Sequence, residues 1–519
     1  MKFVKRYWLL LVGLAVVLPT LWPIFRSDFF PMHDFTHVAR LVELDLALRA
    51  GQIPPRWAPD FGWGYGMPLF HFYGPLPYYL AELLYKMSVP AVWAIKAVFA
   101  LNYFAGFYFM YLWARQSWGK WGGWLSGLAF VYLPYRAVQF YVRGSLAELT
   151  AMTFIPLFFY ALKKKKTVLA AFAWAGIFLS HNVIALFSLG FAAIYFLFHF
   201  RNWRRWLIVS GLTLALTAWF VIPAFFEKDL TVVNSLTGGY SHYSLHFIYL
   251  RQLWSRFWGY GGSIFGLEDG LSFQLGWPQL LLILPALIIW RRLKWLWFSL
   301  GAAIFMMTFH SQFIWDRLPI LALAQFPWRL LAFAGVFVAF LSGSIFTLVN
   351  KKAQVLAIAL LIIGLNWQYF RPRQFSPVDD YYYTDRVKIA GQMSDILADY
   401  LPKTANAPSP LRVDWFETEA TVSGVMVKPG SFTADLAATR SAQFNFNQYY
   451  FPGWQASLDG QAVSLGVEPS IGRVSLIVPE GDHHLKISLT KTPIQRWSDI
   501  ISLLSLLGLV FYYARNRRT

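Results

Sequence analysis

The chain has 519 residues, of which 57% are hydrophobic, 19% are aromatic and only 14% are charged. A soluble globular protein is usually close to half apolar and about a quarter charged, so this excess of apolar residues predicts an integral membrane protein. The sequence contains no cysteine, which excludes disulfides, thiolate nucleophiles and cysteine-ligated metals. The net charge of +19 fits basic residues that flank membrane spans on the cytoplasmic side, and we expect no nucleic-acid partner.

Apolar segments follow one another along most of the chain and predict about twelve membrane spans. They lie near 7–25, 89–113, 122–136, 149–162, 167–180, 183–199, 206–226, 277–290, 295–309, 330–349, 353–369 and 496–514. No small-residue cleavage site follows the first segment, so we interpret it as an uncleaved helix. Basic clusters occupy every second gap, which predicts a multi-pass protein of a bacterial cytoplasmic membrane with both termini in the cytoplasm.

The long polar segments then all lie on the extracytoplasmic face, where we expect the function to reside. Three regions follow: a transmembrane domain over 1–369 with a large first outer loop at 26–88, an outer β-rich domain over 370–495, and a last span with a basic cytoplasmic tail over 496–519. In the β-rich domain, Asp459-Gly460 separates two alternating runs and predicts a hairpin. Several such short strands predict a small β-sandwich.

The stretch PMHDFTHVAR (31–40) places four ionisable residues, His33, Asp34, His37 and Arg40, beside the first span. Apolar spacing predicts an amphipathic helix over 34–50. Asp34 stands at its start, so it is either a helix N-cap or a functional carboxylate. We interpret Glu43 and Arg49 on the same helix as residues of a solvated face.

Other ionisable residues lie at the outer mouths of later spans. Arg143 and Glu148 belong to VRGSLAELT, His181 to LSHN, and Gln325 and Arg329 to AQFPWRLL. A buried ionisable group at a membrane boundary is costly and is therefore a functional candidate. Two structural alternatives stay open: Arg329 snorkels toward lipid headgroups, or His181 is a satisfied turn residue.

These segments also resemble a known group of proteins. The loop HDFTHVARLVELDLALRAGQIPPRWAPDFGWGYGMPLFHFYGPLPYYL and the motifs RGSLAEL, LSHN and FPWRLL resemble bacterial membrane proteins labelled "6-pyruvoyl-tetrahydropterin synthase-related". That group looks like the GT-C superfamily of lipid-linked glycosyltransferases. The tail YYFPGWQASLDGQAV…VPEGDHHLKISL is similar to the outer β-domain of YfhO-like members. The fold implied is a polytopic α-helical membrane protein of GT-C type with an extracytoplasmic C-terminal β-sandwich domain.

The resemblance implies a polyprenyl-phosphate-linked sugar as donor and an acidic residue of the first outer loop as base, which here is Asp34. Many relatives carry a paired acidic motif where this chain has His33-Asp34. His37, one turn further on, could orient Asp34, and His33, Asp34 and His37 are a weak candidate set for a divalent cation such as Mg²⁺ or Mn²⁺. The sequence requires no cofactor.

Arginine suits a phosphate leaving group through its fork of donors, and Arg329, Arg40 and Arg143 are the candidates. Glu148 and His181 are expected to bind sugar hydroxyls or position the acceptor, with Gln325 beside the phosphate-binding residues. The acceptor is a glycan, a lipid or a protein. One base without a paired nucleophile predicts inversion at the anomeric carbon. Two alternatives stay open: a flippase or transporter for a lipid-linked saccharide, and a catalytically inactive GT-C-like scaffold.

Overall fold

The computed structural model describes residues 10–348, 352–377, 380–393 and 399–516. These residues form two compact units. The first unit contains residues 10–35, 93–214, 236–348 and 352–377, and the second contains 36–92, 215–235, 380–393 and 399–516. Most of the first outer loop belongs to the same unit as the β-strands, and the division into regions 1–369, 370–495 and 496–519 stays a prediction.

Helices form most of the chain before residue 400. Residues 10–15 are helical, and the α-helices that follow are His37–Arg49, Leu69–Phe72, Leu76–Tyr85, Ala91–Val131, Pro134–Ala137, Leu146–Lys163, Thr167–Ser180, Asn182–Phe198, Trp203–Phe226, Trp277–Leu282, Lys294–Met307, Gln312–Arg317, Leu331–Ser342, Lys352–Asn366, Asp380–Thr384, Arg386–Met393 and Pro493–Asn516. Short 3₁₀ turns join many of them, among them Leu18–Phe25 and Pro327–Leu330.

Among the described residues, five helices are long and apolar enough to cross a membrane: Ala91–Val131, Leu146–Lys163, Phe200–Phe226, Pro327–Thr347 and Pro493–Tyr512. Shorter apolar helices cover 167–180, 182–198, 277–287, 294–307 and 353–369. The chain is therefore a multi-pass membrane protein by the length and composition of its helices. The predicted count of twelve spans is not confirmed, and residues 7–9 of the first predicted span lie outside the described residues.

One helix of the first unit is buried on every side. All twelve residues of Leu331–Ser342 are buried, as expected for a helix that is apolar around its whole circumference. The Trp113 ring packs against Phe340 of this helix, with ring centroids 4.1 Å apart. The residues just before it, including Arg329, are therefore carried on a firmly packed support.

In the second unit, the helix His37–Arg49 is far more buried than an amphipathic surface helix. Glu43 has no exposed surface, which contradicts its assignment to a solvated face, and it accepts a hydrogen bond from Asp60 N at 3.0 Å. Burial raises the pKa of Glu43 well above its usual range, reinforced by the charge of Asp60. Arg386 and Arg412 pair with Asp60 at 2.9 and 3.0 Å. Arg49 is largely exposed, as predicted.

Nine strands of the second unit form two sheets. They are β1 Phe416–Thr418, β2 Thr421–Lys428, β3 Ser431–Ala438, β4 Ala442–Tyr449, β5 Trp454–Leu458, β6 Gln461–Val463, β7 Gly466–Val467, β8 Arg473–Val478 and β9 Gly481–Leu489. The strand orders are β1-β4-β8-β7 and β2-β3-β9-β5-β6, and every pairing is antiparallel.

The β-rich region that the sequence predicted is therefore present. Asp459 and Gly460 join β5 to β6 with positive φ angles of 51° and 81°, the conformation of a tight hairpin turn, as the sequence predicted. The two sheets contact each other through aromatic rings. The ring centroids of Phe432 on β3 and Phe444 on β4, for example, are 5.5 Å apart. The alternation of exposed and buried residues along β3 shows which of its faces packs inward.

Candidate functional site

In the first unit, the segment that carries Asp34 lies beside the segment that carries Arg143. His33 N donates to Val142 O at 3.0 Å, and Asp34 N donates to Arg143 O at 2.9 Å. Gly144 allows this approach: its φ is +62°, and a Cβ there would lie 2.1 Å from Met32 Sδ and 2.9 Å from Asp34 O. The backbone thus fixes Asp34, which is half-buried, next to Arg143.

A π-helical turn brings the next polar groups together. Val138–Val142 is π-helical, and Ser145 N closes the turn on Gln139 O at 2.7 Å. Such turns widen a helix by one residue and are frequent at functional sites. The helix Leu146–Lys163 then begins and carries Glu148 in its first turn, so Gln139, Arg143 and Glu148 converge within ten residues of chain.

Glu148 is the centre of this cluster and has no exposed surface. Its carboxylate accepts hydrogen bonds from Arg143 Nη1 at 2.7 Å, Tyr135 Oη at 2.5 Å and Gln139 Nε2 at 3.2 Å. Arg329 Nε lies 3.7 Å away. A buried carboxylate is tolerated when it is paired and hydrogen-bonded in this way.

Arg329 reaches the cluster from a distant part of the sequence. Its side chain is 13% exposed, and Nη1 donates to Ala324 O at 2.9 Å and to Gln325 Oε1 at 3.1 Å. These contacts point inward and contradict the snorkelling interpretation. Gln325 adopts φ 60° and ψ −50°, a strained conformation for a residue other than glycine.

His181 lies in the turn between two apolar helices. Its Nδ1 accepts a hydrogen bond from Ile184 N at 3.2 Å and caps the helix Asn182–Phe198, so the interpretation as a satisfied turn residue is confirmed. The pKa of His181 is lowered to about 3, chiefly by burial and also by the charges of Arg329 and Arg143, against the opposing charges of Glu148 and Asp34. The ring is therefore neutral at pH 7, and the capping bond leaves its proton on Nε2.

The first unit thus brings together five of the predicted site residues. Arg143, Glu148 and Arg329 are linked by direct contacts, while the charge of Asp34 acts on both Arg143 and His181. Gln325, a sixth predicted site residue, also lies in this unit and accepts a hydrogen bond from Arg329. Two carboxylates therefore face two guanidinium groups at the ends of helices in a membrane protein, which is a charge arrangement suited to a phosphate and a proton-bearing nucleophile.

The structure places His37 and Arg40 in the second unit. His37 Nδ1 lies 2.8 Å from Tyr78 Oη, and Arg40 Nη1 donates to the same oxygen at 3.1 Å. Arg40 also lies 4.1 Å above the Tyr73 ring. Their helix begins at His37 with Thr36 as N-cap, so the N-cap interpretation of Asp34 is wrong.

The candidate metal set does not fit the structure. His33 Nε2 lies 2.9 Å from Tyr260 O. Within residues 10–348, 352–377, 380–393 and 399–516, no three histidine, aspartate or glutamate side chains gather as ligands of a metal ion. The side chains of His33, Asp34 and His37 therefore do not form the metal-ligand set that the sequence suggested.

Sequence reasoning missed three residues of the cluster. Tyr135 and Gln139 bind Glu148, and Trp328 lies 4.6 Å from the Arg143 guanidinium in a cation–π contact. Tyr135 and Trp328 are hidden in aromatic-rich stretches. The spacing of four residues between Tyr135 and Gln139, one helical turn upstream of Arg143, was the available signal.

The fold and this cluster define a multi-pass membrane protein with a buried ionic site at its helix ends. No protein-family model matches the chain. An uncharacterized protein of Lactococcus lactis subsp. cremoris (strain MG1363) is 25% identical over 206 residues, which covers 36% of this chain and 33% of that protein.

A crystal structure of ArnT from Cupriavidus metallidurans bound to undecaprenyl phosphate is similar with a TM-score of 0.39 and 14% identity. The match covers 68% of this chain and 62% of that chain. The chain thus spans a third of the first relative and less than two thirds of the second.

Proposed function

We propose that the chain is a GT-C-type glycosyltransferase that moves a sugar from a polyprenyl-phosphate-linked donor to an extracytoplasmic acceptor. One observation carries this proposal: two arginines from distant segments meet at buried Glu148 while Asp34 is fixed beside one of them. A leaving phosphate and a general base are the two requirements of such a transfer.

Arg143 and Arg329 are proposed to bind the donor phosphate. Their guanidinium groups are held in place before any ligand arrives, because Glu148 contacts both and Gln325 fixes Arg329. A pre-positioned donor fork loses little side-chain freedom when it binds a phosphate. Fixed positive charge also stabilises the phosphate as its bond to the sugar breaks.

Asp34 is proposed to act as the general base. The acceptor hydroxyl attacks the anomeric carbon, the bond from that carbon to the phosphate oxygen breaks, and the hydroxyl proton passes to the Asp34 carboxylate. The products are the glycosylated acceptor and polyprenyl phosphate, and the attack from the opposite side inverts the anomeric centre. Asp34 is half-buried, so a substrate can reach it.

His181 and Glu148 are proposed to position the substrates without exchanging protons. The Nε2–H of neutral His181 is available in this tautomer to donate to a sugar hydroxyl. Glu148 is enclosed by Arg143, Tyr135 and Gln139, which suits a carboxylate that orients arginines better than one that meets the sugar directly.

The experiment compares wild type with Asp34→Asn in nanodiscs. Each protein receives a panel of polyprenyl-phosphate sugars and a membrane extract as acceptor source, with and without Mg²⁺ or Mn²⁺, and free polyprenyl phosphate is measured by mass spectrometry. Asp28→Asn is the matched control, because Asp28 lies on the same segment but pairs with Arg26 at 2.9 Å.

Release that requires Asp34 and tolerates Asp28→Asn supports the proposal. Donor binding without release in any condition would favour the inactive scaffold, and movement of intact donor between leaflets would favour the flippase. Absence of binding to every lipid-linked sugar contradicts the proposal outright.

A further inference from the structure

The second unit contains a cavity of about 380 Å³ that is separate in the sequence from the cluster around Glu148. Residues of the first outer loop, the β3 and β9 strand ends and the start of the last helix line it. Its polar lining includes Gln52, Arg56, His71, Thr490, Lys491 and Gln495. The volume is within the range of small-molecule sites and matches a ligand the size of one or two sugar rings.

The charged groups that line this cavity are all basic. Arg56 and Lys491 line it together with His71, and among the described residues its lining includes no aspartate or glutamate. The neighbouring carboxylates, Asp499 and Glu227, pair with these groups. A ligand in the cavity therefore meets cations first, which favours an anion.

The two cations are fixed in position. Arg56 Nη2 donates to Asp499 Oδ1 at 2.8 Å and to Trp219 O at 3.0 Å. Lys491 Nζ donates to Asp499 Oδ2 at 2.7 Å and to Ile53 O at 2.6 Å. One carboxylate thus holds both cations, and such pre-organisation reduces the entropy cost of binding an anion.

Arg56 also retains unused donor capacity. Its side chain is 9% exposed, and its Nε has no hydrogen-bond partner within the described part of the chain. A buried donor without a partner is costly, and an anionic oxygen that draws the guanidinium toward it would relieve that cost.

His71 contributes a neutral polar wall. Its Nε2 lies 2.7 Å from Glu227 Oε2, and its Nδ1 lies 3.5 Å from Arg56 Nη1. Burial lowers the pKa of His71, with a further lowering by Arg56 and an opposing effect of Glu227. Glu227 accepts hydrogen bonds from Thr492 Oγ1 and Gln495 Nε2, so its carboxylate is already engaged within the protein.

We propose that this cavity binds a small anionic carbohydrate, a sugar that carries a carboxylate or a phosphate. Arg56 and Lys491 bind the anionic oxygens, and the Gln52 amide and the Thr490 hydroxyl bind the sugar hydroxyls. The proposal does not depend on the transferase activity, because none of these residues belongs to the cluster around Glu148.

The test measures binding to the full chain in nanodiscs by titration calorimetry. The probes are glucuronic acid, glucose 6-phosphate, glucose and inorganic phosphate. The variant is Lys491→Gln, chosen because its side chain is 38% exposed and its loss leaves Arg56 paired. Lys486→Gln is the matched control, since Lys486 is exposed on β9 and does not line the cavity.

We expect wild type to bind one of the two anionic sugars at least tenfold more tightly than glucose or inorganic phosphate. Which of the two binds distinguishes a carboxylate ligand from a phosphate ligand. Lys491→Gln should weaken that binding at least tenfold, and Lys486→Gln should leave it unchanged. Asp34→Asn should also leave it unchanged, which separates this result from the fate of the proposed transferase.

Ser431→Tyr is a second variant that fills the cavity lining without changing its charge, and it should abolish binding while keeping the thermal midpoint. Equal binding of glucose or of inorganic phosphate alone would overturn the proposal. So would binding that is insensitive to both Lys491→Gln and Ser431→Tyr, or no binding of either anionic sugar to wild type.

Discussion

The buried ion pair of Arg143 and Glu148 gives the sharpest test of the site, through a double-mutant cycle. The variants are Arg143→Gln, Glu148→Gln and the two together. Glutamine keeps the length of each side chain approximately and removes its charge. Because both side chains are nearly or completely buried, the effects report on charge pairing inside the protein.

The structure allows the sizes to be estimated. Glu148→Gln leaves Arg143 and Arg329 buried without their shared carboxylate, and breaking a buried pair in this way costs roughly 3–5 kcal/mol. Arg143→Gln costs less, about 2–3 kcal/mol, because Glu148 keeps Tyr135 and Gln139 as donors. Part of this cost is the lost cation–π contact with Trp328. In the double variant two amides can bond each other, so we expect a coupling of about 2 kcal/mol.

The assay is the first-order rate at which each purified variant unfolds irreversibly at one fixed temperature in nanodiscs. Such a rate is the appropriate measure for a large membrane protein that does not refold. If Arg143 and Glu148 did not interact, the rate increases of the two single variants would multiply in the double variant. A coupling expressed fully in the unfolding barrier makes the double variant unfold about thirtyfold more slowly than that product.

Additive effects within a factor of two would refute the reasoning. They would mean that Arg143 and Glu148 do not interact as the structure shows. Lys163→Gln is the control, because Lys163 ends the same helix as Glu148 and donates to Ser117 at 2.6 Å, and it should combine additively with Glu148→Gln.

Three further predictions concern single positions. Gly144→Ala should cost about 1–2 kcal/mol of stability from its positive φ alone and lower donor cleavage at least tenfold. Met32→Ala should rescue it in part, because it removes the side chain that the new Cβ meets. No rescue would show that the close approach is unimportant. Gln325→Gly should stabilise the protein by about 1–3 kcal/mol in thermal unfolding, because glycine relieves the strained backbone. It should also weaken polyprenyl-phosphate binding, because Arg329 loses its contact at 3.1 Å. Equal stabilisation by Gln325→Ala would contradict this. Burial and a neighbouring carboxyl raise the pKa of Glu82 from 4.5 to about 7, so the protonated form stabilises the fold and that contribution is lost as the pH rises through this window. Glu82→Gln should therefore gain up to roughly 3 kcal/mol over wild type between pH 4.5 and pH 8, and a pH-independent difference in thermal unfolding would disprove the shift.

The positions of the helices could be predicted from the sequence, because backbone groups in a membrane must be paired within their own segment. Long apolar stretches therefore became helices close to where they were expected, for example Leu146–Lys163 and Thr167–Ser180. The hairpin at Asp459-Gly460 was predictable for a similar local reason, since the turn conformation suits those residues. The number of membrane spans could not be predicted in the same way, because several apolar helices are shorter than a membrane crossing requires.

The candidate site was partly predictable. Arg143 and Glu148 are close in the sequence, so a local motif was enough to pair them. Asp34 was singled out as a residue of interest, and its role as a base stays a prediction. Its interpretation as a helix cap failed because the helix begins three residues later, at His37. The prediction that His37 belongs to a metal-ligand set was wrong, because residues that are close in the sequence did not bring their side chains together as ligands.

Local composition and the periodicity of the backbone were enough to predict the membrane character of the chain, the segments that become helices and strands, and a pool of ionisable residues at helix ends. They could not predict which of those residues meet in the folded chain. Arg329 reaches Glu148 across 181 positions, and Arg386 and Arg412 enclose Asp60 beside a Glu43 that looked like a surface residue. Charge pairing over such distances depends on how buried helices pack, and local periodicity carries no information about that.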